Sequence, residues 1–177
     1  LERLSFAARA ATLAGDRALE LRVAGRRAET LLQNGRVIEA ELLSRQAMEI
    51  LDLPRIEDID VCNIVGVRIR CLAFLGDFEE GFRLRDIGRP IAERLPLTQR
   101  RTYLSGMSFL CTLSGQYERG VGELEEVIAL TRASDTLARR WLTRLDIQIV
   151  QKALKVQYKK NIEYPPSLDV FNPWPKE

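Results

Sequence analysis

One short pattern centred on glycine occurs three times in this chain of 177 residues, and it restricts the fold more than any other feature. The first copy is Leu32-Gln33-Asn34-Gly35-Arg36-Val37-Ile38-Glu39-Ala40. The second is Phe74-Leu75-Gly76-Asp77-Phe78-Glu79-Glu80-Gly81, and the third is Leu113-Ser114-Gly115-Gln116-Tyr117-Glu118-Arg119-Gly120. Each reads as an apolar helix end, a glycine, a polar residue, an apolar or aromatic residue, an acidic residue and a small residue. Glycine reaches positive φ without the steric penalty of a Cβ, so at this point it ends one helix and turns the chain into the next.

The agreement extends along both flanking helices. Ten residues before the turn glycine stand Gly25, Gly66 and Ser105, and four before it Leu31, Leu72 and Cys111. Five after it come Ala40, Gly81 and Gly120, and twelve after it Ala47, Gly88 and Val127. A glycine in a helix interior costs about 1 kcal/mol relative to alanine. Small residues recurring at one register therefore predict close approach between helices there. The turn glycines Gly35, Gly76 and Gly115 are 41 and then 39 residues apart. That period is longer than the ~34 residues of the shortest helical-hairpin repeats and near the ~40–47 of the longer ones. Leu53-Pro54-Arg55 and Leu95-Pro96-Leu97-Thr98 supply breaks after the second helix of a pair.

These signals predict an all-α solenoid of about three helical hairpins. A lead helix falls at 2–13 and ends at Gly15-Asp16. The hairpins span 17–52, 58–94 and 99–132, and a terminal helix covers 136–160 behind Ser134-Asp135, which suits an N-cap. Residues 1–160 are then one helical-repeat domain, and 161–177 an extended tail. A single hairpin cannot bury its apolar face alone, so such units stack into one continuous core.

The remaining composition excludes more than it assigns. There is no histidine, which removes the usual general base, the Ser-His and Cys-His dyads and the commonest zinc ligand. Cys62, Cys71 and Cys111 sit in apolar helical patterns at spacings that fit no metal motif, and read as small core residues in a reducing compartment. The glycines are spaced as hairpin turns and form no phosphate-binding loop. The clusters Glu79-Glu80 and Glu123, Glu125, Glu126 read as solvated helix faces. No catalytic residue, metal or cofactor is expected. No apolar run approaches the ~20 residues of a membrane span, so the chain reads as that of a soluble protein, cytoplasmic or of the mitochondrial matrix. It begins at Leu1, as a fragment or a processed form would.

The basic residues are almost all arginine, the five lysines lying at or beyond Lys152. Solvated helix faces account for this, and so does an arginine-lined surface for carboxylates or phosphates. Arg26-Arg27, Arg100-Arg101 and Arg139-Arg140 are candidate phosphate contacts. A net charge of +2 with acids interspersed argues against nucleic acid as the partner.

At the residues quoted above the chain resembles tetratricopeptide repeats. The second-helix signature of that family is matched by Gly35, Val37, Ala40 and Ala47. Gly76, Phe78, Gly81 and Gly88 follow with glycine for alanine, and Gly115, Tyr117 and Gly120 match before Val127 departs. The first-helix tryptophan and leucine-glycine pair of the family are absent. The long period is similar to repeats in bacterial transcription regulators of the maltose-activator type. Pentatricopeptide repeats share the hairpin, but Gly25-Arg26, Gly66-Val67 and Ser105-Gly106 stand where that family reads bases. An accessory subunit of the mitochondrial F1-ATPase of euglenozoan protists is similar in size and fold.

The resemblance implies a non-catalytic protein-interaction module, a scaffold or accessory subunit of a larger assembly. The alternative it implies is a peptide- or ligand-sensing segment of a regulator. It places the binding groove on Arg22, Glu29 and Asn63, on Arg70 and Phe74, and on Thr102 and Phe109. Its lysine- and asparagine-based clamp for chaperone tails is not matched. The tail is a separate candidate, since Tyr164, Leu168, Phe171 and Trp174 are too apolar for an idle linker and its prolines exclude helix. It packs either on its own repeats or across another subunit.

Overall fold

The computed structural model describes residues 2–49 and 56–132. The break at Leu53-Pro54-Arg55, the helix expected at 136–160 and the tail at 161–177, with Arg139-Arg140, lie outside the described residues. Seven α-helices follow one another: α1 Glu2–Ala14, α2 Arg17–Gln33, α3 Val37–Met48, α4 Asp58–Leu75, α5 Phe78–Glu93, α6 Arg101–Ser114 and α7 Val121–Arg132. Single 3-10 turns occupy Leu97–Gln99 and Tyr117–Gly120, and no strand occurs among the described residues. The three expected hairpins form as α2/α3, α4/α5 and α6/α7, and the all-α repeat architecture is the observed one. The third pair differs in detail, because the helix expected from 117 opens with the 3-10 turn and becomes α-helical at Val121.

The turns close in the way the glycine pattern requires. At Gly76, with φ of +80°, the Gly76 amide donates to the Ala73 carbonyl and the Asp77 amide to the Leu72 carbonyl. At Gly35 the same two bonds run from Gly35 to Leu32 and from Arg36 to Leu31. Gly15 repeats them with Thr12 and Ala11, so the lead helix joins α2 through a turn of the same kind. This arrangement satisfies two carbonyls that a helix end otherwise leaves without a partner. Asp16 and Asp77 then start the following helices, their side chains accepting from the Leu19 and Glu80 amides.

The helices stack with the first helix of each hairpin side by side, α2 against α4 and α4 against α6, and with α3 and α5 each touching the first helices on both sides. The main core is built around α4. Ile64, Val65, Phe82, Tyr103, Leu104 and Leu124 are among its buried members. A smaller cluster, including Ala28, Leu31, Ala40 and Val67, seals the first hairpin against α4. Cys62, Cys71 and Cys111 are all buried free thiols, as their patterns predict.

Close approach occurs between α4 and α6, where a Cβ on Gly66 would lie 2.5 Å from the Thr102 carbonyl carbon and the Tyr103 nitrogen. The partner of Gly66 across this contact is Gly106, and not Ser105 as the repeat register predicts. A Cβ on Gly106 would stand 2.6 Å from the Gly66 oxygen. Across α4 and α6 the close approach therefore falls one residue later in α6 than the repeat register. Gly25 is correspondingly relaxed, with only Ile64 Cδ1 at 3.9 Å. The small-residue register marks tight contacts elsewhere too, since a Cβ would stand 2.6 Å from Leu110 Cδ1 at Gly81, 2.8 Å from Val65 Cγ1 at Gly88, and against Cys111 Sγ at Gly120.

Candidate binding groove

The exposed edges of α2, α4 and α6 enclose an open groove of about 330 Å³. Its apolar floor includes Leu21, Ile59 and Val67, and its polar rim includes Arg22, Arg26, Asn63 and Thr102. Four residues expected in the groove, Arg22, Glu29, Asn63 and Thr102, are therefore brought together around it. The other three, Arg70, Phe74 and Phe109, form a contiguous strip joined to it through Glu29. The Arg70 Nη1 donates to both Glu29 oxygens at 2.9 Å, and its guanidinium lies 5.5 Å from the Phe109 ring centre. The Phe109 and Phe74 rings are 5.3 Å apart and tilted by 45°. Phe74 is half exposed at the end of this strip. Tyr164, Leu168, Phe171 and Trp174 lie outside the described residues.

Most charges in the groove are already satisfied by one another. Arg22 donates to Asp60 with Nη2 at 2.9 Å and Nε at 3.2 Å, which ties α2 to α4. Hydrogen bonding to Asp60 holds the Arg22 guanidinium above its ordinary pKa. Glu29 also accepts from Gln33 at 2.9 Å. Three groups remain unspent: among the described residues, the Arg26 guanidinium, the Asn63 amide and the Thr102 hydroxyl have no side-chain hydrogen-bond partner. One cation and two neutral hydrogen-bonding groups over an apolar floor suit a peptide segment with a carboxylate beside an apolar side chain. Asp60 and Val67 were not anticipated as lining residues, although both stand one helical turn from Asn63, which is the signal that could have found them. Arg26 stands one turn from Arg22 in the same way.

The acidic clusters are corrected by the structure. Glu123 is only 3% exposed and accepts from Arg85 Nε at 2.8 Å. Glu126 accepts from Arg100 at 2.8 Å, and Glu80 of α5 accepts from Arg68 of α4 at 3.4 Å. Of those acids, Glu79 and Glu125 are exposed. A polar helix face in this stack meets the arginines of the next helix, so it is spent on packing between units. Arg100 is likewise unavailable as a phosphate contact, since it also donates to the Leu95 and Glu93 carbonyls. Burial works against the Arg85 charge, yet its bonds to Glu123 and Asp86 outweigh this and leave its pKa above the ordinary value. Burial pushes each of the three thiols up to about 12, so at neutral pH they are uncharged and poor nucleophiles.

Among the described residues, no group of three His, Cys, Asp or Glu side chains could hold a metal ion. Nor is any described helix long and apolar enough to cross a membrane. Fold and groove together define the class, an all-α helical-repeat protein with an open face across its first helices. Comparison with family models, with curated proteins and with solved structures found no match to the chain.

Proposed function

We propose that this chain is a tetratricopeptide-like interaction module, a non-catalytic scaffold or accessory subunit that grips a segment of a partner protein along the α2–α4–α6 groove. The observation that carries this reading is the set of unspent groups in the groove. Arg26, Asn63 and Thr102 converge on an apolar floor while the arginines and acids around them are already paired. Preformed ion pairs keep the walls rigid, which lowers the ordering cost of binding.

Isolation of the chain under native conditions, followed by mass measurement of the intact complex, tests the proposal. A stoichiometric protein partner is expected, and Asn63→Arg with Thr102→Arg should release it while leaving helix content intact. A chain recovered without any protein partner overturns the reading. A second reading, the sensing segment of a regulator, is favoured by one feature: a groove of about 330 Å³ falls at the lower end of the size of small-ligand sites. In that case the double variant would abolish binding of a small molecule and leave protein assembly unchanged.

A further inference from the structure

We propose a second docking surface, at the end of the stack formed by α1 and the adjoining edge of α2, which receives an acidic amphipathic helix of a partner protein. Three observations converge there. The first is position. α3 packs on both α2 and α4, and α5 on both α4 and α6, whereas α1 packs chiefly on α2 among the described residues. Among the described residues, one side of α1 therefore has no helix packed against it.

The second observation is an apolar ridge. Phe6 is 69% exposed and Leu13 89% exposed, and with the exposed Ala10 between them they recur at the spacing of one helix face. The ridge runs beside a shallow groove of about 700 Å³ whose lining includes Arg9, Thr12, Leu13 and Arg27. A ridge of about two turns next to a groove is the surface that a second helix packs against.

The third is charge. Neighbouring helices in this stack are joined by arginine–carboxylate pairs: Arg22–Asp60, Arg70–Glu29, Arg68–Glu41, Arg94–Asp58, Arg85–Glu123 and Arg100–Glu126. At the α1 end the arginines outnumber the acids left free to pair with them, of which Glu2 is the exposed example among the described residues. Arg3, Arg9 and Arg27 make no ion pair among the described residues, and the Arg27 Nε is buried with no hydrogen-bond partner. The other nearby acids are occupied, since Glu20 is held by Arg17 and Asp16 caps α2. The missing complement is a helix carrying carboxylates beside apolar residues. A nucleic-acid backbone would meet the arginines but leave Phe6 and Leu13 in water, so the acidic helix is the better fit.

A fluorescent helical peptide of roughly 18 residues tests this, with two leucines seven residues apart and glutamates flanking them. It is titrated against the full chain beside the same peptide with Gln, and with Lys, in place of Glu. The Glu peptide should bind, weaken between about 50 and 300 mM salt, and exceed the Gln peptide by about tenfold. The double variant Arg9→Glu, Arg27→Glu should lose the Glu peptide and gain the Lys peptide, which a misfolded chain would not do. Phe6→Ser with Leu13→Ser should weaken the Glu peptide too. No binding of the Glu peptide, or equal binding of the Gln peptide, overturns the proposal. So does tight binding of a single-stranded RNA that ignores the Phe6 and Leu13 changes, because the surface would then be a phosphate site. The substitutions of the α2–α4–α6 groove do not touch this end, so either proposal can fail alone.

Discussion

At Gly76 the backbone stands at φ of +80° with nothing within 4 Å of where a Cβ would sit, so the only obstacle to a side chain there is conformational. Gly66 is the reverse case, a helical residue whose added Cβ would strike the backbone of α6 at 2.5 Å. The two glycines therefore predict different responses. Gly76→Val should cost about 1–2 kcal/mol, the penalty for left-handed backbone. Gly66→Ala should cost about 3 kcal/mol, because a backbone neighbour cannot move aside as a side chain can. Gly25→Ala, in ordinary contact with Ile64 alone, should raise stability by up to about 1 kcal/mol through helix propensity. Urea denaturation of the three variants checks the order, and a Gly66→Ala protein as stable as the parent would contradict the α4–α6 contact. The turn glycine was legible in sequence because its requirement is local. The contact glycine was legible only in part, since Gly106 stands one residue off the repeat register.

Between helices, burial and charge act together. Glu123 of α7 is buried and fastened to Arg85 and Arg89 of α5. Glu123→Ala should therefore cost about 2 kcal/mol, the scale of losing a charged hydrogen bond and leaving a part-buried guanidinium without its acid. Glu125→Ala on the solvated side of the same helix should change stability by less than about 0.5 kcal/mol. Thermal melts of the pair decide whether α7 is stitched to α5 as described. The thiols give a second measure of the same packing. Cys62, Cys71 and Cys111 should resist a thiol reagent in the native chain and react once urea unfolds it. Rapid labelling of the native protein would mean that the first helices are looser than the fold implies. The period of apolar residues revealed these helices and their turns, but the sequence alone made Glu123 look solvated. Which side of an amphipathic helix faces a neighbour depends on how many neighbours it has, and α7 meets α5 through ion pairs that periodicity does not register.

Across the molecule, the titrating groups divide into two sets with a quiet interval between them. Arginine hydrogen bonds hold Glu20, Glu39, Asp58 and Glu80 below their ordinary values of 4.5 and 3.8. A carboxyl whose pKa is lower in the folded chain binds fewer protons than in the unfolded one. Its contribution is full above the ordinary value and is lost as the pH falls through the lowered one. The thiols behave oppositely: burial raises them from 9.0 to about 12, so their contribution is full below about 9 and is lost as the pH rises through that interval. Burial raises Tyr103 as well. With no histidine in the chain, stability should be level from about pH 5 to 8 and decline beyond both ends. Urea midpoints across that range check it, and a transition near pH 6.5 would point to a group outside this account.

The three hairpins and the reversal at Gly35, Gly76 and Gly115 were set by the order of residues, because helix periodicity and left-handed turns depend on neighbours a few positions away. The positions Arg22, Glu29, Asn63 and Thr102 were suggested by the family resemblance, and they line one groove across the first helices. What packing decided was which of those groups stay available. Asp60 reaches across to Arg22, Arg70 to Glu29 and Arg85 to Glu123, over separations of 38, 41 and 38 residues. An ion pair is chosen by distance in space, so a sequence can supply the arginines and acids without stating which are spent. Arg26, Asn63 and Thr102 in the groove, and Arg9 and Arg27 at the α1 end, stand out only once every other partner has been placed.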